Sequence, residues 1–211
     1  MSLTAGLSCV RIPAIVFLRL TLLEVRVMLK TMDTKKLLTK LTDGNRLYSG
    51  SGKYAGDVSS DARARTVDGQ KPYAAVLTCS DSRVIPEVVF QAGIGDLFVI
   101  RTAGNVVDET ALACVEYAVE HLGVRLIVVM GHTHCGAVHA ALHGEFGGKV
   151  GYLTRRIAAA VGSERDETAA CRKNVAASVR TLQDAFLVED ISILGAVYDI
   201  AQGTVEFPVQ K

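Results

Sequence analysis

Apolar residues gather in four short runs, and the stretches between them repeat with helical period. The runs are Tyr73-Ala74-Ala75-Val76-Leu77-Thr78, Leu97 to Arg101, Leu126 to Met130 and Ile191 to Ile200. Continuous apolar runs of this length, bounded by turn residues, read as strands buried on both faces. Between the second and third runs, Leu112, Val115, Ala118, Val119 and Leu122 fall on one stripe of a helix from Glu109 to His121, ended by Gly123. Shorter helical patterns cover 84–90, with Pro86 in the first turn, and then 136–143, 152–161 and 167–186. Ala201-Gln202-Gly203 turns the last run into a hairpin closed by Thr204 to Phe207. Strand, helix and strand in this order predict right-handed crossovers and a parallel sheet.

Upstream of the first run the pattern is weaker. Asp33 or Thr34 is placed to cap a helix through Leu41, and Gly44-Asn45 to stop it. Residues 45–68 read as a surface connection with a short helix near Ser60 to Thr66, its Ala62-Arg63-Ala64-Arg65 run a solvated face. Ala14 to Leu29 is apolar, but Arg19, Glu24 and Arg26 interrupt it. A membrane span needs about 20 mostly apolar residues. A secretory signal needs an unbroken apolar core and a cleavage site, and neither is found. Residues 1–31 are therefore set apart as an extension. Either they form an arm packing on a partner subunit, or Met32 is the natural start; the second reading is slightly favoured. Residues 32–211 show no linker or repeat and read as one domain.

Composition narrows the function classes. The chain has 211 residues, 49% hydrophobic and 21% charged, which is enough to bury a sizeable core. A formal net charge of +1, with no basic run interleaved with aromatics, argues against nucleic acid and against an anionic membrane surface. Five cysteines, at 9, 79, 114, 135 and 171, are an odd number in a chain too long for a small disulfide scaffold. Reduced thiols and a cytoplasmic location are expected. Cys114 reads as a small core residue, and Cys171, in a polar helical stretch, as incidental.

Candidate chemistry sits just after two of the strands. Cys79-Ser80-Asp81-Ser82-Arg83 follows the first, and Gly131-His132-Thr133-His134-Cys135-Gly136 follows the third. Ligands of parallel sheets collect beyond the carboxyl ends of strands. Cys79, His132 and Cys135 offer zinc two thiolates and an imidazole, leaving a fourth position for water or substrate. Asp81 and Arg83 alternate with Cys79. The guanidinium fork can hold the carboxylate ionised, ready to accept a hydrogen bond from a metal-bound water. Asp81 can instead close the site as a fourth ligand, which would make the centre structural; local spacing permits both. His134, adjacent to Cys135, is the poorer co-ligand and reads as a residue at the mouth. His139 and His143, four apart on a helix, read as surface residues rather than a second metal site.

The motifs Cys-Ser-Asp-Ser-Arg-Val at 79–84, Gly-Asp-Leu-Phe-Val-Ile-Arg at 95–101, Ala-Gly-Asn at 103–105 and Gly-His-Thr-His-Cys-Gly-Ala at 131–137 resemble those of β-class carbonic anhydrases. The match runs from about Gln70 to Ala141, and more weakly to Gly203. The resemblance implies an α/β fold, a parallel-centred mixed β-sheet flanked by helices with an N-terminal helical arm. It implies one Zn²⁺ per chain at Cys79, His132 and Cys135, and an Asp81–Arg83 catalytic dyad. It also implies a substrate site for carbon dioxide and bicarbonate formed by Gln70, Phe98, Ala103, Gly104 and Tyr117. The reaction implied is reversible hydration of carbon dioxide by a zinc-bound hydroxide. Gln70 and part of the apolar pocket would come from a neighbouring subunit, so a homo-oligomer, a dimer or dimer of dimers, is expected. The chain has no Trp, so the Trp-containing bicarbonate pocket of some bacterial relatives is not expected, and the form with Asp81 bound to Arg83 is favoured. Ala103, where some relatives carry a larger residue, would make the pocket roomier. Two other readings stand beside this one: hydrolysis of carbon disulfide or carbonyl sulfide on the same site, and a non-catalytic zinc-stabilised module.

Overall fold

The computed structural model describes residues 22–186 and 191–207, with side chains described from residue 34 onwards. Its elements are α1 (Leu22–Ser51), α2 (Ser60–Thr66), β1 (Ala74–Cys79), α3 (Pro86–Val89), β2 (Leu97–Thr102) and α4 (Glu109–Glu120). They continue with β3 (Leu126–His132), α5 (Gly136–Leu142), α6 (Gly151–Val161), α7 (Glu167–Ala185), β4 (Ser192–Tyr198) and β5 (Val205–Glu206). A one-turn 3₁₀ segment, Ala103–Asn105, follows β2 directly.

The five strands form one sheet in the order β2-β1-β3-β4-β5. The first four are parallel and β5 pairs antiparallel with β4, so the expected mixed sheet is present. The apolar runs are continuous because both faces are covered. Ala75, Leu77, Ile127 and Val129 pack towards α4 and α7. Ala74, Val76, Leu126, Val128 and Met130 pack on the other face, with Leu41, Val89 and Phe90.

Strand order also locates the candidate site. The chain leaves β1 towards β2 on one side, and leaves β3 towards β4 on the other. The carboxyl ends of β1 and β3 therefore flank the point where the winding reverses, where a crevice opens in doubly wound sheets.

Two N-terminal expectations are corrected. The helix expected to start at Asp33 or Thr34 begins at Leu22 and runs through Met32 without a break. Leu, Glu, Val, Met and Lys in that stretch are all compatible with helix. Gly44-Asn45 does not stop it. A side chain at Gly44 would come within 2.0 Å of the Phe90 carbonyl oxygen, so glycine is there for close packing on the end of α3. Asn45 is buried; it donates to the Val89 and Gly203 carbonyls and accepts from the Val205 amide, tying α1 to α3 and to the hairpin. The expectations for residues 1–21, Cys9 included, lie outside the described residues.

Candidate metal centre

Cys79 is the last residue of β1 and His132 the last of β3, two residues beyond the apolar run that marks the strand. Cys135 precedes α5. All three are buried, at 4%, 0% and 3% exposure. One ligand atom from each lies within 4.8 Å of the others. With Zn–S bonds of about 2.3 Å, tetrahedral geometry separates two sulfurs by about 3.8 Å. The Sγ atoms of Cys79 and Cys135 are 3.9 Å apart.

The histidine carries the sharper test. Its Nδ1 lies 2.9 Å from the Thr133 carbonyl oxygen, which only a protonated nitrogen can satisfy. In the neutral ring, Nε2 is then the unprotonated atom. It is buried and, among the described residues, has no hydrogen-bond partner. A lone pair held this way beside two thiols fits a metal, and the backbone carbonyl behind the ring is the usual orienting partner of a metal-bound imidazole.

The thiols differ. Cys79 is pulled well below the ordinary thiol range, first by the Cys135 thiol donating to it, then by His132 and the Gly104 amide, against the opposing effect of burial. Cys135 is pushed up by that bond and by burial. The Gly104 N–H donates to Cys79 Sγ at 3.2 Å. Gly104 adopts a φ of 68°, and an added Cβ would meet Ile157 Cδ1 at 2.6 Å, so both backbone and packing require glycine.

Asp81 and Arg83 form a two-pronged pair. Arg83 Nε donates to Oδ1 at 2.9 Å and its terminal nitrogen to Oδ2 at 2.7 Å. The Arg83 amide adds a third bond to Oδ1, at 2.9 Å. The carboxyl is held well below its usual range, with the Arg83 side chain as first cause. Asp81 Oδ2 lies 3.9 Å from His132 Nε2, beside the centre. Arg83 is braced in turn by the carbonyl of His134, whose φ of 56° is left-handed. His134 itself is exposed.

Sequence reasoning missed three supports. Arg101 leaves β2 and grips the carbonyl oxygens of Cys79 (3.2 Å) and Asp81 (2.6 Å), fixing the turn that carries both. Asn174 of α7 donates to the Gly104 carbonyl at 2.7 Å, and Ser178 to that of Asn105 at 3.0 Å. Their signal was a polar pair four apart, within the helical stripe of Ala170, Cys171, Val175 and Val179. Cys171 is also corrected. It is not incidental but 2% exposed, packed in one cluster with Cys79 and Cys135, and burial pushes its thiol up to about 11. Cys114 packs against the core, as expected.

The remaining predicted residues divide. Ala103 and Gly104 form the 3₁₀ turn beside Cys79. Phe98 and Tyr117 meet each other, with ring centroids 6.0 Å apart, but not the centre. Phe98 pairs with Ala75, four residues before Cys79, or about 13 Å along the strand. Tyr117 is 47% exposed. Gln70 lines an open cleft of about 570 Å³ with Arg65, Lys71 and Asp96, at the far end of β1 from Cys79.

Comparison with known proteins agrees with this architecture. A family model described as carbonic anhydrase matches residues 74–205. Carbonic anhydrase 2 of Mycobacterium tuberculosis is 49% identical over 102 residues; that segment spans 48% of this chain and about half of the relative, 49%. A carbonic anhydrase of Mycolicibacterium smegmatis is 36% identical over 79% of this chain and 89% of its own length. A solved structure from work on two tetrameric β-carbonic anhydrases of Sordaria macrospora superimposes with a TM-score of 0.61 at 27% identity, covering 68% of this chain and 84% of that one. The family match takes in the four parallel strands and the thiol–imidazole cluster at their switch point, and the chain belongs to the β-class carbonic anhydrases.

Proposed function

We propose that this chain catalyses the reversible hydration of carbon dioxide to bicarbonate and a proton, using one zinc ion held by Cys79, His132 and Cys135. The observation that carries the reading is the buried, unpartnered Nε2 of His132, set beside two thiols at tetrahedral spacing. Bound zinc supplies Lewis acidity and lowers the pKa of a water at its open position to about 7.

The chain's own residues do the rest. An ionised carboxylate has about four acceptor positions. Arg83 fills three on Asp81, two at Oδ1 and one at Oδ2. The fourth, on the oxygen near His132, is open to a water beside the centre. In this reading Asp81 orients that water and stays ionised, because Arg83 holds it so, and does not itself take the metal's fourth position. The Gly104 amide shares the charge of the Cys79 thiolate. Carbon dioxide is small and uncharged, so an apolar wall suits it better than a charged cradle.

The wall is completed by a second copy in this proposal. Gln70, Phe98 and Tyr117 cannot reach the centre of their own chain. A homo-oligomer would bring them to a neighbour's centre, in keeping with the tetrameric relatives from Sordaria macrospora. No described helix is long and apolar enough to cross a membrane. Cys79, Cys114, Cys135 and Cys171 are free thiols, which suits a reducing compartment, and we place the protein in the cytoplasm.

The test is stopped-flow hydration of carbon dioxide by zinc-loaded protein, from about pH 6.5 to about pH 9, bracketing the ionisation of a metal-activated water. Turnover rising with pH is expected. No hydration across that range, with one zinc per chain and the oligomer intact, would overturn the reading.

A further inference from the structure

Gly104 gives its N–H to the sulfur of Cys79, yet nothing in a glycine keeps it there. Glycine has the widest backbone freedom of any residue. Its φ of 68° and ψ of 24° are one conformation among many open to it. The next residue, Asn105, is also left-handed, at φ 46°. Two such residues in succession persist only where the surroundings hold them.

The hold comes from α7. Asn174 and Ser178 stand four apart, so one side of that helix carries both. They are 3% and 6% exposed, in a stripe otherwise made of Ala170, Cys171, Val175 and Val179. Burying an amide and a hydroxyl there is unfavourable unless each is bonded. Both bonds go to the turn. Asn174 donates to the Gly104 carbonyl at 2.7 Å, and Ser178 to the Asn105 carbonyl at 3.0 Å. Two consecutive peptide planes are thereby pinned on one side of the Gly104 Cα. On its other side the amide lies 3.2 Å from Cys79 Sγ. Helix and sulfur are thus joined by two buried links, Asn174 to Gly104 and Gly104 to Cys79.

We propose that Asn174 and Ser178 are positioning residues of the metal centre, which aim the Gly104 amide at Cys79 and so limit how much charge that sulfur gives to a bound metal. That role rests on the zinc site proposed at Cys79, His132 and Cys135. A hydrogen bond to a thiolate draws electron density from the sulfur, and bonds of this kind tune the metals behind them. With less charge received, the metal is the stronger Lewis acid.

The experiment is the near-ultraviolet spectrum of the Co²⁺-substituted full chain, read at its sulfur-to-cobalt charge-transfer band. Wild type is compared with Asn174→Ala and Ser178→Ala. A sulfur that loses its N–H donor holds its lone pairs at higher energy. The band should therefore move to longer wavelength in both variants, with cobalt still at one per chain. Val179→Ala is the control. It loosens the same helix where it packs on Gly195 of β4, away from the turn, and its band should match wild type. Should Asn174→Ala fail to fold, Ser178→Ala, which loses a single oxygen, decides the question. An unmoved band in the folded turn variants, or an equal shift in Val179→Ala, would overturn the positioning role and leave the centre standing. No charge-transfer band in the wild type, with cobalt bound, would overturn the thiolate centre and the positioning role together.

Discussion

The division of labour at the centre can be separated one residue at a time. Cys79 accepts hydrogen bonds and sits among the candidate ligands, whereas Asp81 touches the centre only from the side. Cys79→Ser replaces a thiolate with a hydroxyl that stays protonated at neutral pH. It should leave less than one zinc per chain by elemental analysis, and wild-type zinc content would remove Cys79 from the ligand set. Asp81→Asn should behave differently. Zinc content should stay at one per chain, because no ligand is lost. Turnover should fall by about a hundredfold or more, the scale of losing a positioned proton acceptor. Unchanged turnover in that variant would show that the Arg83-bound carboxylate has no part in the reaction.

The elements explain which of these residues the sequence could reveal. Cys79, His132, Cys135 and the Asp81–Arg83 pair were legible because each follows a strand marked by its own apolar run. Parallel pairing then brings two strand ends together. What packs behind them was not legible. Gly44-Asn45 carries the local signal of a helix end, and only the Phe90 carbonyl lying against Gly44 reveals its packing role. Asn174 and Ser178 look like solvent-facing side chains of a helix until α7 is laid against the 3₁₀ turn. Asn174→Ala should therefore cost about 1–3 kcal/mol in a urea titration, because the buried Gly104 carbonyl loses its donor. An unchanged midpoint would show that another group takes its place. The loop entering α7 makes a pH-dependent contribution. Glu164 is lowered to about 2, first by its bond with Lys173 and then by the amides of Arg165 and Asp166. The unfolded chain thus binds this proton at a higher pH than the folded one does. The contribution is full above the unperturbed value of about 4.5 and fades as pH falls towards 2. The melting temperature of Glu164→Gln should lie below wild type at neutral pH and converge on it in acid. An equal gap at both pH values would refute the linkage.

At the scale of the molecule, the residues proposed for the substrate site lie at opposite ends of one chain's sheet. The metal ligands and Asp81 stand at the carboxyl end of β1, while Gln70 stands beyond its amino end. Six residues of strand between them span about 20 Å, too far for a glutamine side chain. If Gln70 acts on bicarbonate, it does so on a neighbour, and two differently damaged chains should repair one another. Gln70→Ala leaves Asp81 intact, and Asp81→Asn leaves Gln70 intact. In a mixed dimer, the centre of the first variant receives glutamine from the second, so one of its two sites is whole. Random pairing makes half of all dimers mixed, so an equimolar mixture refolded together should recover about a quarter of wild-type turnover. Each variant alone should stay far below that. Action of Gln70 within its own chain predicts the opposite, since a mixed dimer would then hold no complete site. Recovery no greater than the average of the two separate variants would place Gln70 outside its neighbour's reaction, and would remove the argument for a shared site.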